Sequence, residues 1–363
     1  MTSPYPSAKR RGRVGLACNE IVRQNYVADS DVARLGTVAD FSYHCFSVAS
    51  ELGEPAPRDE AAEAELTSFA ADLDVLLVCH GAPYVSSEVL EGAPLLSLVG
   101  ELEGDRFAYR LDVEAARQRG VRVVDTSHGS SRPAAEWALG LALVGLRNAG
   151  ANFRRMIAHE NAFVPVPERS GPGFDNAELS HKSVGLIGFG YLGRYLVELL
   201  KPFHVQARVF DPFVPRELAE PCGVEFGPLP AVLSCDVVFV LVPLTAATQA
   251  MLGARELELL KPGCVFVNVS RGKVVDGGAL LDRLRRGDVV ACLDVFDTEP
   301  LPPDSALVEL PNVFVSPHVA GVTSESRRRF FSLMVDECLR HFEGLEPWSE
   351  LTSGTVRLRV DPS

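Results

Sequence analysis

The run Val184-Gly185-Leu186-Ile187-Gly188-Phe189-Gly190-Tyr191-Leu192-Gly193-Arg194 narrows the folding problem more than any other stretch of this chain. An apolar strand runs into the spacing GxGxxG and then into the helical pattern Tyr195 to Leu200. Gly188 would permit a tight turn, Gly190 would let backbone approach a pyrophosphate, and Gly193 would let the helix pack close to the strand. The N–H groups of Tyr191 and Leu192, at the helix start, would then face phosphates. At the end of the next apolar run, 23 residues past Gly188, stands Asp211. An acid there accepts hydrogen bonds from an adenosine ribose and repels a 2′-phosphate. A bare GxGxxG is only a glycine turn. The strand before it, the helix after it and the acid at this spacing make it a dinucleotide site, for NAD rather than NADP; Arg208 lies within the strand rather than after it.

With 363 residues, the chain suits two domains of roughly 150 to 200 residues better than one core. Hydrophobic residues make up 47% and charged residues 23%, a globular composition. Strand-like runs at 13–18, 41–46, 74–79, 95–100 and 121–124 alternate with helical patterns, which implies a parallel sheet covered by helices. Ser130, Ser131 and Pro133 open a long apolar helix over 131–147, read as a connector between domains. Residues 163–176, rich in Pro and Gly, read as a surface loop. A second series of six strands follows at 183–188, 207–210, 237–242, 264–269, 290–295 and 312–315, the count of a complete doubly wound dinucleotide domain. A last helix, about 325–342, would pack back onto the first domain. The expected division is 1–128 with 322–363 for one domain and 129–321 for the other.

Several function classes are excluded by composition. The longest apolar stretches, such as Trp137 to Leu146, run about ten residues against the roughly 20 that cross a bilayer, so no membrane partner is expected. The basic residues Lys9, Arg10, Arg11 and Arg13 precede an apolar run too short for a signal-peptide core. A net charge of -13 argues against a nucleic-acid partner. Eight cysteines lie scattered without CxxC or His-paired spacing, so no metal is expected and the thiols read as reduced, buried and cytoplasmic.

Three further motifs each end a buried strand. They are Val265-Phe266-Val267-Asn268-Val269-Ser270-Arg271-Gly272, Leu293-Asp294-Val295-Phe296-Asp297-Thr298-Glu299-Pro300 and Val315-Ser316-Pro317-His318-Val319-Ala320-Gly321. Ligands in open α/β sheets bind at that edge, so Arg271, Glu299 and His318 converge on one crevice. A lone arginine at a strand end is usually an ion pair and a lone histidine after proline a turn residue; the ordered set is what carries chemistry.

With GxGxxG, Asp211 and Val-Pro-Leu-Thr at 242–245, these motifs make the chain, over about residues 74–325, similar to the D-isomer-specific 2-hydroxyacid dehydrogenases. The resemblance implies a Rossmann NAD-binding domain inserted into a flavodoxin-like substrate domain. It implies that Arg271 binds the substrate carboxylate and polarises the reacting carbonyl, that His318 gives or takes the hydroxyl proton, and that Glu299 holds His318 and favours its protonated form. A fixed guanidinium suits the developing alkoxide, and an imidazole is a natural proton donor near neutral pH. By the same resemblance Val242 and Pro243 flank the adenosine, Val269 and Ser270 the nicotinamide ribose, and Asp294 and Gly321 the nicotinamide. Cofactor NAD, a 2-keto or D-2-hydroxy acid substrate and a homodimer formed through the helix that begins at Ala135-Glu136-Trp137 are implied as well.

The substrate loop in this resemblance is Cys79-His80-Gly81-Ala82-Pro83, whose His80, Gly81 and Ala82 would bind the acid, His80 being unusual there. The family's glycine-rich stretch after the fourth strand reads here as the charged segment 101–110. Arg106, Arg110, Arg132 and His128 would either add positive charge for a phosphorylated or phosphonylated acid or, the reading preferred for the arginines, form surface ion pairs. Glu299 stands where the formate-oxidising branch carries Gln. The C-terminal regulatory extension of some phosphoglycerate dehydrogenases has no counterpart in this sequence. Two other readings share the residues: an NAD-sensing interaction protein of the corepressor type, and a dehydrogenase of another donor such as phosphite.

Overall fold

The computed structural model describes residues 10–49, 56–104, 109–160 and 177–352. Arg106 and the loop at 163–176 lie outside the described residues. Two compact units make up the chain: one runs to Ser130 and resumes at Ser324, the other is Ser131–Thr323.

In the first unit the order is β1 (Gly12–Cys18), α1 (Glu20–Tyr26), α2 (Asp29–Leu35), β2 (Ala39–Cys45), α3 (Glu60–Ala70), β3 (Val75–Val78), α4 (Ser87–Gly92), β4 (Leu98–Glu101), α5 (Val113–Gln118) and β5 (Arg122–Asp125). Continuous apolar runs such as Val75-Leu76-Leu77-Val78, buried along their whole length, suit a sheet covered on both faces. The five strands are parallel in the order β2-β1-β3-β4-β5, the flavodoxin-like arrangement. Asn19, Asp59, Ser86 and Asp112 cap the helices that follow them, each accepting a first-turn backbone N–H. One face packs Leu76, Val78 and Val99 under α3 and α4. The other packs Val14, Leu16 and Leu77 under Phe330, Phe331 and Met334 of the last helix, Ser324–Phe342.

In the second unit follow α6 (Ser131–Leu146), α7 (Ala149–Ile157), β6 (Ser183–Ile187), α8 (Tyr191–Leu200), β7 (Gln206–Phe210), β8 (Glu225–Phe226), α9 (Leu229–Leu233), β9 (Val237–Val240), α10 (Ala254–Leu257), β10 (Val265–Asn268), α11 (Gly277–Leu284), β11 (Val290–Leu293), α12 (Ala306–Glu309) and β12 (Val313–Val315). The parallel sheet has the order β12-β11-β10-β9-β6-β7-β8. It holds seven strands where the sequence pattern gives six, because β8 is two residues pairing Glu225 and Phe226 with Arg208 and Val209, too short to show a period of two. Asn148, in the left-handed region at φ 42°, separates α6 from α7, a second helix that the sequence pattern does not distinguish. Strand order reverses between β6 and β9, and such a switch point opens a crevice at the strands' carboxyl ends.

The core beneath that edge is dense. Phe189, Phe239 and Phe266 are fully buried, each adding about 1.5 to 3 kcal/mol by leaving water. At the opposite edge Asp236 accepts the Ser183 N–H (2.9 Å) and hydroxyl (2.6 Å) and pairs with Lys261 (2.8 Å). It thereby ties the starts of β6 and β9 to the segment leading into β10.

Candidate active site

The cofactor end is built where β6 runs into α8. Gly188 has φ 103°, which L side chains rarely adopt, and a Cβ there would meet Val242 and the Leu241 backbone. A Cβ on Gly193 would lie 2.7 Å from the Gly188 carbonyl oxygen, so the helix start sits directly on the turn. A Cβ on Gly190, the residue before α8, would meet nothing within 4 Å. Space is therefore left open in front of a helix start, whose first turn has N–H groups without intrahelical acceptors and a positive dipole end. These residues fit a pyrophosphate. Asp211 closes the same corner: its carboxylate accepts the N–H of Phe189 (2.8 Å), Phe213 (2.9 Å) and Val214 (3.1 Å). Two oxygens offer about four acceptor positions, so one remains for a ribose hydroxyl. Of the neighbours proposed by sequence, Val242 packs at Gly188, and the Pro243 carbonyl accepts the Thr248 hydroxyl at 2.6 Å.

Past β10 the chain turns on Asn268. Its Oδ1 accepts the Ser270 N–H (3.1 Å) and hydroxyl (3.0 Å), and its Nδ2 donates to the Arg271 carbonyl (3.2 Å). Val269 and Ser270 are thereby buried in the turn and Arg271 is presented at the sheet edge. Arg271 donates to the Ser270 carbonyl at 2.7 Å. Burial pulls its pKa below the usual guanidinium range, opposed by the Glu299 charge. A Cβ on Gly272 would fall 1.8 Å from the Phe296 carbonyl carbon, so only glycine lets this turn approach the segment that carries Glu299.

Glu299 and His318 form the centre of the site. His318 Nδ1 lies 2.7 Å from Glu299 Oε2, while Glu299 Oε1 accepts the Phe296 N–H at 2.9 Å. Partial burial alone would raise the Glu299 carboxyl. Hydrogen bonds from His318 and Phe296, with the charge of Arg271, overcome it and hold the carboxyl below its usual range. The carboxylate is therefore ionised beside an imidazole whose Nδ1 it engages, which leaves Nε2 as the other ring nitrogen. His318 sits at φ 51°, a left-handed conformation for a residue other than glycine. Its loop is fastened to the fully buried Asp294, whose oxygens accept the Ser316 hydroxyl (2.5 Å) and the N–H of Val319 (3.1 Å) and Ala320 (2.8 Å).

The first unit treats its expected residues differently. The Ala82 N–H is spent on the Cys79 carbonyl at 3.0 Å, and Gly81, at φ 89°, packs on Asn19. His80 uses both ring nitrogens: Nδ1 lies 2.8 Å from Arg110 and Nε2 3.3 Å from Glu103. Arginine only donates, so Nδ1 accepts and the proton sits on Nε2, directed at Glu103. Arg110 is not a surface residue. Its side chain is 4% exposed against a Glu101 that is 0% exposed, at 2.9 Å, because β4 carries the start of the charged segment into the interior. Arg132, in the second unit, does lie at the surface, 3.9 Å from Glu136. Cys79, His80 and Glu103 bring three ligand atoms within 4.8 Å, yet burial pushes the Cys79 thiol far above its usual range and the imidazole has no nitrogen to spare.

Asn268, Gly272, Ser316 and Trp137, whose indole meets Ser316, stand in motifs quoted from the sequence but are given no part in the site there. Asn268 and Ser316 flank Arg271 and His318 in their motifs, a proximity that was available as a signal.

A doubly wound domain with a glycine turn open at a helix start, an aspartate at the end of the next strand and an imidazole–carboxylate pair near a guanidinium has the features of a dinucleotide-binding protein. Residues 139–320, half of the chain, match the D-isomer specific 2-hydroxyacid dehydrogenase, NAD binding domain, and the chain belongs to that family, with NAD as its cofactor. The chain is 32% identical over 300 residues to a D-3-phosphoglycerate dehydrogenase of Methanocaldococcus jannaschii, covering 82% of this chain and 55% of that one. It is 30% identical over 291 residues to a glyoxylate reductase of Korarchaeum cryptofilum, covering 79% and 85%. The crystal structure of a phosphoglycerate oxidoreductase from Rhizobium etli superposes with a TM-score of 0.72 at 26% identity, covering 93% and 97%. The chain spans about half the length of the phosphoglycerate dehydrogenases it matches.

Proposed function

We propose that this protein is an NAD-dependent oxidoreductase that interconverts a small 2-keto acid and the corresponding D-2-hydroxy acid. The observation that carries the reading is the 2.7 Å contact between His318 and Glu299, on the same sheet edge as Arg271. The bound nicotinamide cofactor would supply or accept the hydride. Arg271 binds the carboxylate and polarises the carbonyl, stabilising charge as it develops on oxygen. His318 delivers a proton from Nε2 to that oxygen, and Glu299, bonded to Nδ1, holds the ring in the orientation that presents Nε2. The α8 start, with Gly188, Gly190, Tyr191, Leu192 and Gly193, holds the pyrophosphate and Asp211 the ribose, while Val242, Pro243, Val269, Ser270, Asp294 and Gly321 line the rest of the cofactor.

In the first unit we retain Gly81 as a contributor to substrate recognition, with His80 and Ala82 shaping its turn, because His80 spends both ring nitrogens on Arg110 and Glu103 and Ala82 its N–H on the Cys79 carbonyl. Arg110 is consumed by Glu101 and Arg132 stands beside Glu136, which favours an unphosphorylated acid. We also propose a homodimer in the cytoplasm. Among the described residues no helix is long and apolar enough to cross a membrane, and Leu143, Phe153, Met156 and Ile157 of α6 and α7 are exposed.

The test is NADH oxidation against a panel of 2-keto acids that includes glyoxylate, 3-phosphohydroxypyruvate and phosphonate-bearing acids, with phosphite and NAD assayed in the reverse sense. Turnover that Arg271→Ala and His318→Ala abolish while NADH still binds supports the reading. Tight NADH binding with no turnover on any of these would overturn it in favour of an NAD-sensing interaction protein.

A further inference from the structure

We propose that Trp137 is a positioning residue for His318, acting through Ser316 and Asp294; the inference rests on the role given to His318 above. An indole N–H only donates, and Trp137 Nε1 donates to Ser316 Oγ at 3.1 Å. The Ser316 hydroxyl therefore accepts on that side and gives its single hydrogen to Asp294 Oδ1 at 2.5 Å. Chemistry fixes the direction of the whole chain of bonds, which ends on a fully buried carboxylate.

What that carboxylate holds is the backbone on both sides of His318. Asp294 takes the Ser316 hydroxyl before the histidine and the N–H groups of Val319 and Ala320 after it, while its own backbone carbonyl takes the His318 N–H at 2.9 Å. These bonds surround a non-glycine residue at φ 51°, a conformation that persists only where neighbours over-determine it. Trp137 is the outermost member and comes from α6, an element that supplies none of the reacting groups. Removing its N–H leaves Ser316 free to rotate away from Asp294. The turn around His318 loosens, and the imidazole leaves the narrow range of positions from which proton transfer is productive.

Trp137→Phe keeps the ring and deletes the donor. It should lower kcat roughly three- to tenfold, as expected for one hydrogen bond that matters in the transition state, and leave KM for NADH and for the acid within about twofold. Ser316→Ala should act through the same chain, so the double variant should be no slower than the slower single one. Hydrogen exchange of the Val319 and Ala320 amides gives a readout without turnover: protection falls in both single variants while that of β10 and β11 does not. With Trp348→Phe, an exposed residue, Trp137 becomes the sole indole, and its N–H resonance should shift on adding Ser316→Ala. A Trp137→Phe protein with wild-type kcat and wild-type protection at Val319 and Ala320 overturns the proposal, as does a loss of thermal stability without either change. If the wild type turns over none of the acids, the functional reading fails separately, and exchange at Val319 and Ala320 still decides whether Trp137 holds the loop.

Discussion

Glu299→Gln tests the central pair with almost no change of shape. The amide oxygen can still accept the Phe296 N–H, as Oε1 does at 2.9 Å. That leaves the amide NH2 facing His318 Nδ1 at the position where a carboxylate oxygen now lies at 2.7 Å. The ring must then accept at Nδ1, and a protonated imidazole would set two donors against each other. A hydrogen bond to a charged partner is worth about 1.5 to 3 kcal/mol, and each 1.36 kcal/mol is tenfold in rate. The expected loss in kcat for keto-acid reduction near neutral pH is thus on the order of ten- to a hundredfold. KM should change little, because Glu299 does not touch the acid in this mechanism. The assay follows NADH absorbance at saturating cofactor, with melting measured in parallel. A Glu299→Gln enzyme within about twofold of wild type would refute the claim that this carboxylate holds the catalytic imidazole through Nδ1.

The glycine turn separates two effects that are usually confounded. Gly190→Ala should leave the melting temperature unchanged, since its Cβ meets nothing within 4 Å, yet weaken NADH binding in a calorimetric titration by filling the phosphate space. Gly193→Ala should lower both stability and affinity, because its Cβ would lie 2.7 Å from the Gly188 carbonyl oxygen; equal melting of the two variants would contradict the packing argument. Asp211→Ala removes an acceptor of three backbone N–H groups along with the charge that repels a 2′-phosphate. It should raise the Kd for NADH roughly tenfold and narrow the preference for NADH over NADPH, measured by fluorescence titration with both. Asp236 is partly buried, which would raise its pKa, but Lys261 and the Ser183 hydroxyl and N–H draw it down to about 2 from 3.8. Its folded value is depressed, so its stabilisation is present above 3.8 and lost as pH falls towards about 2. Asp236→Asn should accordingly melt below wild type at neutral pH and converge with it on acidification, as thermal scans across that range would show.

Legibility in the sequence followed the range of the interactions. Strands such as Val75–Val78 and Val237–Val240 are continuous apolar runs and announce themselves, and the glycine turn carries its meaning in consecutive residues. The two-residue β8 does not, since two residues carry no periodic pattern and its pairing with Arg208 and Val209 shows only in the fold. Nor does Arg110, whose charge suggests the surface until β4 is seen to carry Glu101 inward beside it. What no local pattern contains is register. Asn268, Leu293 and Val315 lie side by side across β10, β11 and β12. The next residue in each chain, Val269, Asp294 and Ser316, therefore leaves the sheet at one level, and the hydroxyl of Ser316 meets the carboxylate of Asp294. A slip of one residue in either pairing would send one of these side chains to the opposite face of the sheet, parting Asp294 from Ser316 and leaving His318 without its fastening. The same alignment explains why Gly272 must be bare, because the turn after β10 passes the segment after β11 too closely for any side chain. The sequence motifs name the proposed reacting groups one by one; the register of three short strands brings them onto a common edge.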